Sequence, residues 1–327
     1  MILSRDALVG FAASLFALFA VPLTHAQSTF PTKAVRIIVP LVPGGNLDIV
    51  ARAVGAQMAE NLGQSVIVEN RPGASSLVGT QFVAKAPADG YTVLAIANTF
   101  ATVPSLMKNP GYDALKDFAG VSLTCLVPQV MVVTPTLPAR TAKELIALAK
   151  TRPGQLAYGT SGAGSTGHIA AELFSIQSGI KLLHVPYKGN AATLVDVVAG
   201  NVQIMFDQIS TSAQYIRSGR LRALGLTSLK RSPLFPEVPT IDESGLKGYE
   251  EITFNGLLAP AGTPREALTR LNAEVTRAVR LPELKKRYLE RGIELTSSAS
   301  SDDFTAYVKA EYDKKAKLAR EAGIKIE

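Results

Sequence analysis

Short apolar runs alternate with amphipathic helical runs along most of the chain, and this alternation restricts the possible fold more than any other feature. In the first helical run, apolar residues recur at every fourth position from Val50 to Leu62, and Gly63 follows as a helix stop. The predicted strands and helices of the first part alternate over residues 35–39, 47–62, 66–69, 77–85 and 91–97. This spacing predicts a parallel sheet with helices on its faces.

The alternation then starts again, which predicts a second α/β lobe. A long extended segment at 120–134 is broken by Pro128, and the capping box Thr141-Ala142-Lys143-Glu144 begins a helix that runs to Thr151. The further predicted strands are 155–159, 182–185, 202–206 and 221–227, and the helices between them are 166–178, 191–199 and 212–218. About 300 residues after the N-terminal segment exceed what one compact core usually holds.

Three helical stretches end the chain without a strand-like run of their own. They follow an extended segment at 252–259 and begin near Thr263-Pro264, Pro282 and Ser300. Helices without a sheet must pack on an existing one, so we expect them to return to the first lobe. The segments around Pro128 and Phe254 then cross between the lobes, which predicts a hinged pair with a ligand cleft between them. We predict residues 27–127 plus 253–327 as lobe 1 and 128–252 as lobe 2.

Residues 1–26 carry the pattern of a cleaved signal peptide. Arg5 precedes an apolar run from Ala7 to Val21, and Thr24-His25-Ala26 offers small residues at the cleavage-specifying positions. The run of about 15 residues is shorter than the roughly 20 that a membrane-spanning helix needs. Cys125 is the only cysteine, so no intrachain disulfide can form, which is compatible with export to a bacterial periplasm.

The formal net charge of +7 favours anionic partners. Its densest stretches, 285–287 and 314–320, lie on helical patterns that mix Glu with Lys, as solvated helix faces do. The chain has no Trp and no interleaving of aromatic with basic residues, so we expect no nucleic-acid partner. His-x-x-x-His and Cys-x-x-Cys spacings are absent, and we expect no metal, no cofactor and no catalytic residue.

A Gly-rich loop, Pro40 to Asp48, joins the first strand to the first helix. Gly44 and Gly45 let the backbone turn tightly and approach a ligand. Asn46 is a good N-cap, and Asp48 complements the positive end of the helix. Free N–H groups at such a helix start suit an anion. By composition alone, an ordinary loop that happens to be rich in glycine is an equally good interpretation.

A second Gly-rich loop, Tyr158 to His168, joins a strand to a helix in the second lobe and offers many uncharged donors. Gly162-x-Gly164-x-x-Gly167 matches the dinucleotide fingerprint. The next strand, 182–187, lacks the acidic residue that a nucleotide ribose requires, and Ser165 stands where a P-loop has Lys. The loop therefore predicts a carboxylate or phosphate held by hydrogen bonds rather than a nucleotide.

Three further polar side chains leave alternatives open. Asp207 follows an apolar strand and either caps the next helix or points into the cleft. His168 and His184 are structural hydrogen-bonding groups or ligand contacts, and no Gly-x-Ser-x-Gly elbow accompanies them.

Taken together, these segments resemble the Bug-type receptors of tripartite tricarboxylate transporters. The resemblance covers essentially the whole chain after residue 26. The motifs that carry it are Val35-Arg-Ile-Ile-Val-Pro-x-x-Pro-Gly-Gly-x-x-Asp48, Val68-Glu-Asn-Arg-Pro-Gly-Ala74, Ala88-Asp-Gly-Tyr-Thr92, Gly162–His168, His184-Val-Pro-Tyr-Lys-Gly189, Phe206-Asp207 and Ala259-Pro-Ala-Gly-Thr-Pro264.

The resemblance implies a type II periplasmic binding-protein fold that closes on a small organic carboxylate and delivers it to a two-subunit membrane permease. The carboxylate is a dicarboxylate or tricarboxylate, an acidic amino acid or an aromatic acid, and we expect a monomer. The implied ligand-binding residues are Pro43, Gly44, Gly45, Asn46, Asp48, Asn98, Thr99, Thr160, Ser161, Gly164, Ser165, Thr166, His168, Tyr187, Asp207 and Phe254.

The sequence departs from the family's usual pattern at three positions of the predicted cleft. Phe254 stands where many relatives have Trp, Asn46 where Ser or Thr is frequent, and Ala163 where Asn is common, so the identity of the carboxylate does not carry over. The alternative functions are a ligand-sensing subunit for a membrane signalling partner, which would share every cleft residue, and an enzyme acting on a small acid.

Overall fold

Ten strands, ten α-helices and a short 3-10 helix at Ala74–Ser76 make up the computed structural model, which describes residues 30–107 and 109–324. The predicted signal peptide at 1–26 lies outside these residues. The strands are β1 Val35–Val39, β2 Val66–Asn70, β3 Thr92–Ile96, β4 Phe118–Val133, β5 Ala157–Thr160, β6 Leu183–Pro186, β7 Ile204–Gln208, β8 Arg222–Leu226, β9 Ile252–Pro260 and β10 Glu294–Leu295. The helices are α1 Asn46–Leu62, α2 Leu77–Ala84, α3 Asn98–Leu106, α4 Ala142–Thr151, α5 Thr166–Ser178, α6 Asn190–Ala199, α7 Ile209–Arg217, α8 Arg265–Val279, α9 Pro282–Leu289 and α10 Ser301–Glu321.

The strands follow the order β2-β1-β3-β9-β4-β7-β5-β6, with β8 and β10 also paired to β4. At one end, β1 pairs in parallel with β2 and β3, and at the other end β5 pairs in parallel with β6 and β7. Between them, β9 is antiparallel to both β3 and β4. The two parallel groups, each with helices on its faces, are the two α/β lobes that the sequence predicts.

β4 is one continuous strand that serves both lobes. Its first part, Phe118 to Pro128, pairs with β9, and its second part, Gln129 to Val133, pairs with β7. The expectation that Pro128 breaks the extended segment is wrong. Proline removes only one ladder donor, and Pro128 lies at the point where β4 changes partners.

The three C-terminal helices pack against the first lobe. α8 and α9 contribute Leu271, Val275 and Tyr288 to the core that contains β1, α1 and β3. α10 contributes Phe304 and Val308 to the core on the opposite face of the sheet. The residue boundaries of the two lobes stay a prediction, because β4 belongs to both. In the described part of the chain, no helix is long and apolar enough to cross a membrane.

Two elements differ from the sequence prediction. The Asn98-Thr99 turn expected after β3 is instead the start of α3, and the side chain of Asn98 is tied to β9: its Nδ2 donates to the carbonyl of Ile252 and its Oδ1 accepts from the N–H of Phe254. A short strand, β10, does follow β9, and its two residues are too few to leave a strand pattern in the sequence.

A buried ion pair joins α10 to the start of β9. Glu251, one residue before β9, pairs with Lys315 of α10, and both side chains are essentially fully buried. Glu311 lies 3.4 Å from the Lys315 ammonium, and the amide of Asn98 donates to Glu251 over 3.3 Å. Because an unpaired buried charge is costly, this pair holds α10 against the place where the chain enters the first lobe for the second time.

Lys315→Met should lower the free energy of unfolding by about 3 kcal/mol, because Glu251 would stay buried without its main partner. The double variant Glu251→Gln/Lys315→Met removes both charges and should recover most of this loss. Urea unfolding of each variant measures the effect. The control is Lys317→Met on the same helix, where the side chain is 72% exposed and the change should stay below about 0.5 kcal/mol. A Lys315→Met protein as stable as the parent would contradict the role of the pair.

Candidate functional site

A cavity of about 250 Å³ lies between the two lobes. The loop before α1 and the starts of α1 and α3 form one wall, and the starts of α5 and α6 with the end of β7 form the other. The crossing strands β4 and β9 form the floor. The lining residues are Leu41, Val42, Gly45, Asn46, Leu47, Asp48, Ala97 and Thr99 on the first wall, Ser161, Ser165, Thr166, Gly167, Asn190, Phe206 and Gln208 on the second, and Gln129, Thr253 and Asn255 on the floor.

The start of α1 differs from the expected arrangement, because Gly45 and not Asn46 is the N-cap. The carboxylate of Asp48 accepts a hydrogen bond from the N–H of Gly44 at 3.0 Å and so closes the loop from inside the helix. Burial alone would raise the pKa of Asp48, but hydrogen bonds from Arg52, Gly44 and Asn70 outweigh it and hold this pKa below its usual value. Asp48 in the cavity wall is therefore ionised, and the guanidinium of Arg52 compensates its negative charge.

Freed from the capping role, the side chain of Asn46 reaches the other lobe. Its Nδ2 donates to Oε1 of Gln208, at the end of β7. Both residues line the cavity, so this hydrogen bond connects the two walls directly.

The second wall presents the start of α5. Ser165 is the N-cap, and its Oγ accepts from the N–H of His168. A side-chain Cβ on Gly167 would lie 2.5 Å from the carbonyl oxygen of Phe206, so only glycine lets α5 pack this closely on β7. The N–H groups of Thr166 and Gly167 belong to the first turn, where a helix offers them no acceptor, and both residues face the cavity.

Two stacked histidines support this loop from behind. The rings of His168 and His184 are 4.0 Å apart, and Tyr158 stacks on His184. Nδ1 of His168 accepts from the N–H of Gly164 at 3.0 Å, and His184 is hydrogen-bonded to the hydroxyl of Thr160 at 2.7 Å. Burial, with His184 beside it, lowers the pKa of His168 to about 4. Burial also lowers the pKa of His184, so both rings stay neutral near pH 7 and hold the loop in place.

Asp207 neither lines the cavity nor caps α7, whose N-cap is Gln208, so it fits neither of the two interpretations of the sequence. Its buried carboxylate accepts from Asn190 at 2.6 Å and from the hydroxyls of Thr211 and Ser212 in α7. Burial raises the pKa of Asp207 against the opposing effect of these hydrogen bonds. Its contact with the cavity is indirect, through Asn190, which lines the wall.

The structure brings together about half of the residues expected to bind ligand. The residues that line the cavity are Gly45, Asn46, Asp48, Thr99, Ser161, Ser165 and Thr166. The residues outside it are Pro43, Gly44, Asn98, Thr160, Gly164, His168, Tyr187, Asp207 and Phe254. Pro43 and Gly44 are exposed to solvent, and the hydroxyl of Tyr187 donates to Asp196. Phe254 is buried on the opposite face of β9, edge-on to Tyr307.

Sequence reasoning missed the polar floor and parts of both walls. The missed residues are Leu41, Val42, Leu47, Ala97, Gln129, Gly167, Asn190, Phe206, Gln208, Thr253 and Asn255. One signal was available: Thr253 and Asn255 alternate in an otherwise apolar strand, so they share one face of the sheet. No comparable signal marked Gln208, whose position depends on the contact between lobes.

The lining combines apolar side chains with polar groups, and all but one of its polar side chains are neutral. Asp48 is the one ionisable side chain among the lining residues, and its carboxylate is already bound by Arg52 and Asn70. The described residues contain no cluster of three or more His, Cys, Asp or Glu able to hold a metal ion. Amides, hydroxyls and two helix starts can bind a small polar or anionic molecule here.

Comparison with known proteins places the chain among solute receptors. Residues 50–324 match the model of the "Tripartite tricarboxylate transporter family receptor". Protein BugT of Bordetella pertussis is 34% identical over 303 residues, which cover 92% of this chain and 93% of BugT. The structure of the R. palustris protein Rpa4515 with adipate is similar with a TM-score of 0.78 and 37% identity, over 90% of this chain and 99% of that one. The periplasmic binding protein BugD is similar with a TM-score of 0.75 and 35% identity, over 90% and 99%.

The lowered pKa of His168 predicts a loss of stability in acid. Between its ordinary value of 6.5 and about 4, the unfolded chain binds a proton that the folded chain does not. The free energy of unfolding should therefore be highest above pH 6.5 and fall as the pH drops towards 4. His168→Asn keeps an acceptor for Gly164 without titrating, so it should flatten this part of the profile. Thermal unfolding of both proteins from pH 4 to 8 measures the difference, and parallel profiles would refute the assignment to His168.

Proposed function

The chain belongs to the tripartite tricarboxylate transporter receptor family, and on this premise we propose that it is a periplasmic receptor that binds a small organic carboxylate and delivers it to a two-subunit membrane permease. One observation carries the ligand class: the first turns of α1 and α5 open on one cavity from opposite lobes. The ligand is bound and released unchanged, and the receptor acts as a monomer.

The geometry suits a carboxylate because both helix starts present positive partial charge. Each helix N-terminus carries the equivalent of about half an elementary charge and several N–H groups without intrahelical acceptors. A carboxylate has two oxygens and can accept hydrogen bonds from both sides at once. Charge-assisted hydrogen bonds of this kind are roughly twice as strong as neutral ones.

The same geometry couples binding to closure of the lobes. A carboxylate bound by α1 and α5 together stabilises only the conformation in which the two walls face each other, so ligand shifts the population towards it. The hydrogen bond between Asn46 and Gln208 acts in the same direction. A permease that recognises the closed outer surface would then distinguish loaded from empty receptor.

The class of carboxylate rests on the relatives as well as on the cavity. The similar R. palustris structure contains adipate, a linear acid with six carbons. A cavity of about 250 Å³ accommodates acids of this size. Within this class we propose dicarboxylates or tricarboxylates, acidic amino acids and aromatic acids as the first ligands to test.

Binding of a small carboxylate should stabilise the purified mature protein by mass action and so raise its melting temperature. At a ligand concentration one hundred times Kd, the free energy of unfolding should rise by about 2.7 kcal/mol. A thermal-shift screen of carboxylates, amines and neutral sugars, followed by calorimetry, tests this. Recovery of each ligand by chromatography after incubation checks that it is unchanged. A shift with amines or sugars and none with carboxylates would overturn the proposed ligand class.

Ser165→Ala/Thr166→Ala should weaken carboxylate binding by about 1–3 kcal/mol, because the bound oxygens lose hydroxyl donors. The Ser165 substitution also removes a helix cap, which costs about 1 kcal/mol of stability. Thr141→Ala is the matched control, since Thr141 caps α4 in the same way and does not line the cavity. The control should lose stability and keep its affinity, as measured by calorimetry. Equal affinity of the double variant and the parent would remove this loop from the site.

A further inference from the structure

The floor of the cavity contains two amides with unused hydrogen-bonding capacity. Gln129 of β4 and Asn255 of β9 both line the cavity and are each only 1% exposed. By hydrogen-bond geometry, Oε1 of Gln129 and Nδ2 of Asn255 have no partner among the described residues. The Asn255 side chain lies beside the thiol of Cys125, whose sulfur is only a weak acceptor. The free atom of Gln129 is an acceptor and that of Asn255 is a donor. Buried polar atoms of folded proteins are nearly always hydrogen-bonded, so two such atoms at one cavity floor indicate a missing partner.

Both amides are held on rigid strands rather than on loops. The backbone N–H of Gln129 donates to the hydroxyl of Thr227 at 3.0 Å, and its carbonyl accepts from the N–H of Thr227 at 2.9 Å. Its side-chain Nε2 donates to Thr253 at 3.4 Å, which leaves Oε1 as the free atom. Asn255 lies opposite Cys125 in the ladder between β4 and β9. The acceptor and the donor therefore keep their positions before ligand arrives.

The free acceptor of Gln129 and the free donor of Asn255 do not together match a second carboxylate on the ligand. A carboxylate offers acceptors only, so it could take a hydrogen bond from Asn255 while its charge faced the lone pairs of Gln129. The lining residues include no Lys, Arg or His to compensate that charge. The helix N-termini that would stabilise the charge of the first carboxylate lie in the two walls and not at the floor. Burying a second charge at the floor would therefore be unfavourable.

A neutral group with both a donor and an acceptor does match the pair. A carboxamide offers a carbonyl oxygen to Asn255 and an N–H to Gln129, and a hydroxyl can do the same with its one proton and its lone pairs. Each buried atom left unsatisfied carries a desolvation cost that such a group would offset.

We propose that Gln129 and Asn255 form a distal subsite that selects a neutral carboxamide or hydroxyl at the far end of the ligand. This inference rests on the proposed function, which places a carboxylate at the helix starts. The preferred ligands of this receptor are then monocarboxylates with a neutral polar end, ahead of the dicarboxylates of the same length.

Matched pairs of acids test the subsite, since replacing one carboxylate oxygen by NH₂ hardly changes the shape. The pairs are succinate with succinamate, glutarate with glutaramate and adipate with adipamate, measured by calorimetry at pH 7.5. For the chain length that binds best, the amide acid should bind about tenfold more tightly than its dicarboxylate. Equal affinities, or tighter binding of the dicarboxylate, would overturn the proposal.

Gln129→Met removes the acceptor and keeps the length of the side chain. In this variant the ratio of the two affinities within the best pair should fall from about ten to about one, because the amide proton loses its partner. Gln214→Met, an exposed position on α7, is the control and should keep the parent's ratio. An unchanged ratio in Gln129→Met would also overturn the subsite.

Acids without a distal polar group test the carboxylate site separately from the subsite. Butyrate, valerate and hexanoate carry the carboxylate without a distal polar group and are measured beside the pairs. If no acid of any kind binds, the proposed function fails and the subsite with it. If acids bind and the pairs show no preference for the amide, only the subsite is overturned.

Discussion

The antiparallel pair of β4 and β9 is the element on which the rest of the molecule depends. β4 runs through both lobes, pairing first with β9 and then with β7, and β9 joins it to the parallel strands of the first lobe. The cavity floor lies on one face of this pair, and α10 packs on the other with Phe254 and Phe304 between them. Any relative movement of the lobes must therefore bend these two strands, while the groups on each wall move as rigid units.

The cavity lining contains one charged side chain, Asp48. Its carboxylate is bound by Gly44, Asn70 and Arg52, and the remaining lining groups are amides, hydroxyls, backbone and apolar side chains. Positive potential comes instead from the starts of two helices, whose positions depend on glycine and on capping side chains. The ion pair of Glu251 and Lys315 has a different role, because neither residue lines the cavity and the pair joins α10 to the start of β9.

The sequence predicted the local elements well and the contacts between them poorly. α5 was predicted at 166–178 and has those bounds, because its cap, apolar faces and Gly179 stop are all local signals. α3 was missed, since Pro104 and β-branched residues hide a helix that Asn98 anchors to β9. Asn46 has the composition of a cap, but Asp48 closes the loop and leaves Asn46 to bridge to Gln208.

The sequence by itself determined the two-lobed α/β architecture, the two Gly-rich loops before helices and the family. Periodicity, caps and glycines act over a few residues, so they can be recognised without coordinates. Only the tertiary structure decided which side chains share the cavity. Gln129, Gln208 and Asn255 are more than 40 residues apart from one another, and their meeting depends on how β4, β7 and β9 align in one sheet. His168, Asp207 and Phe254 lie next to cavity residues in sequence, yet strand alternation and helix geometry turn their side chains into the protein.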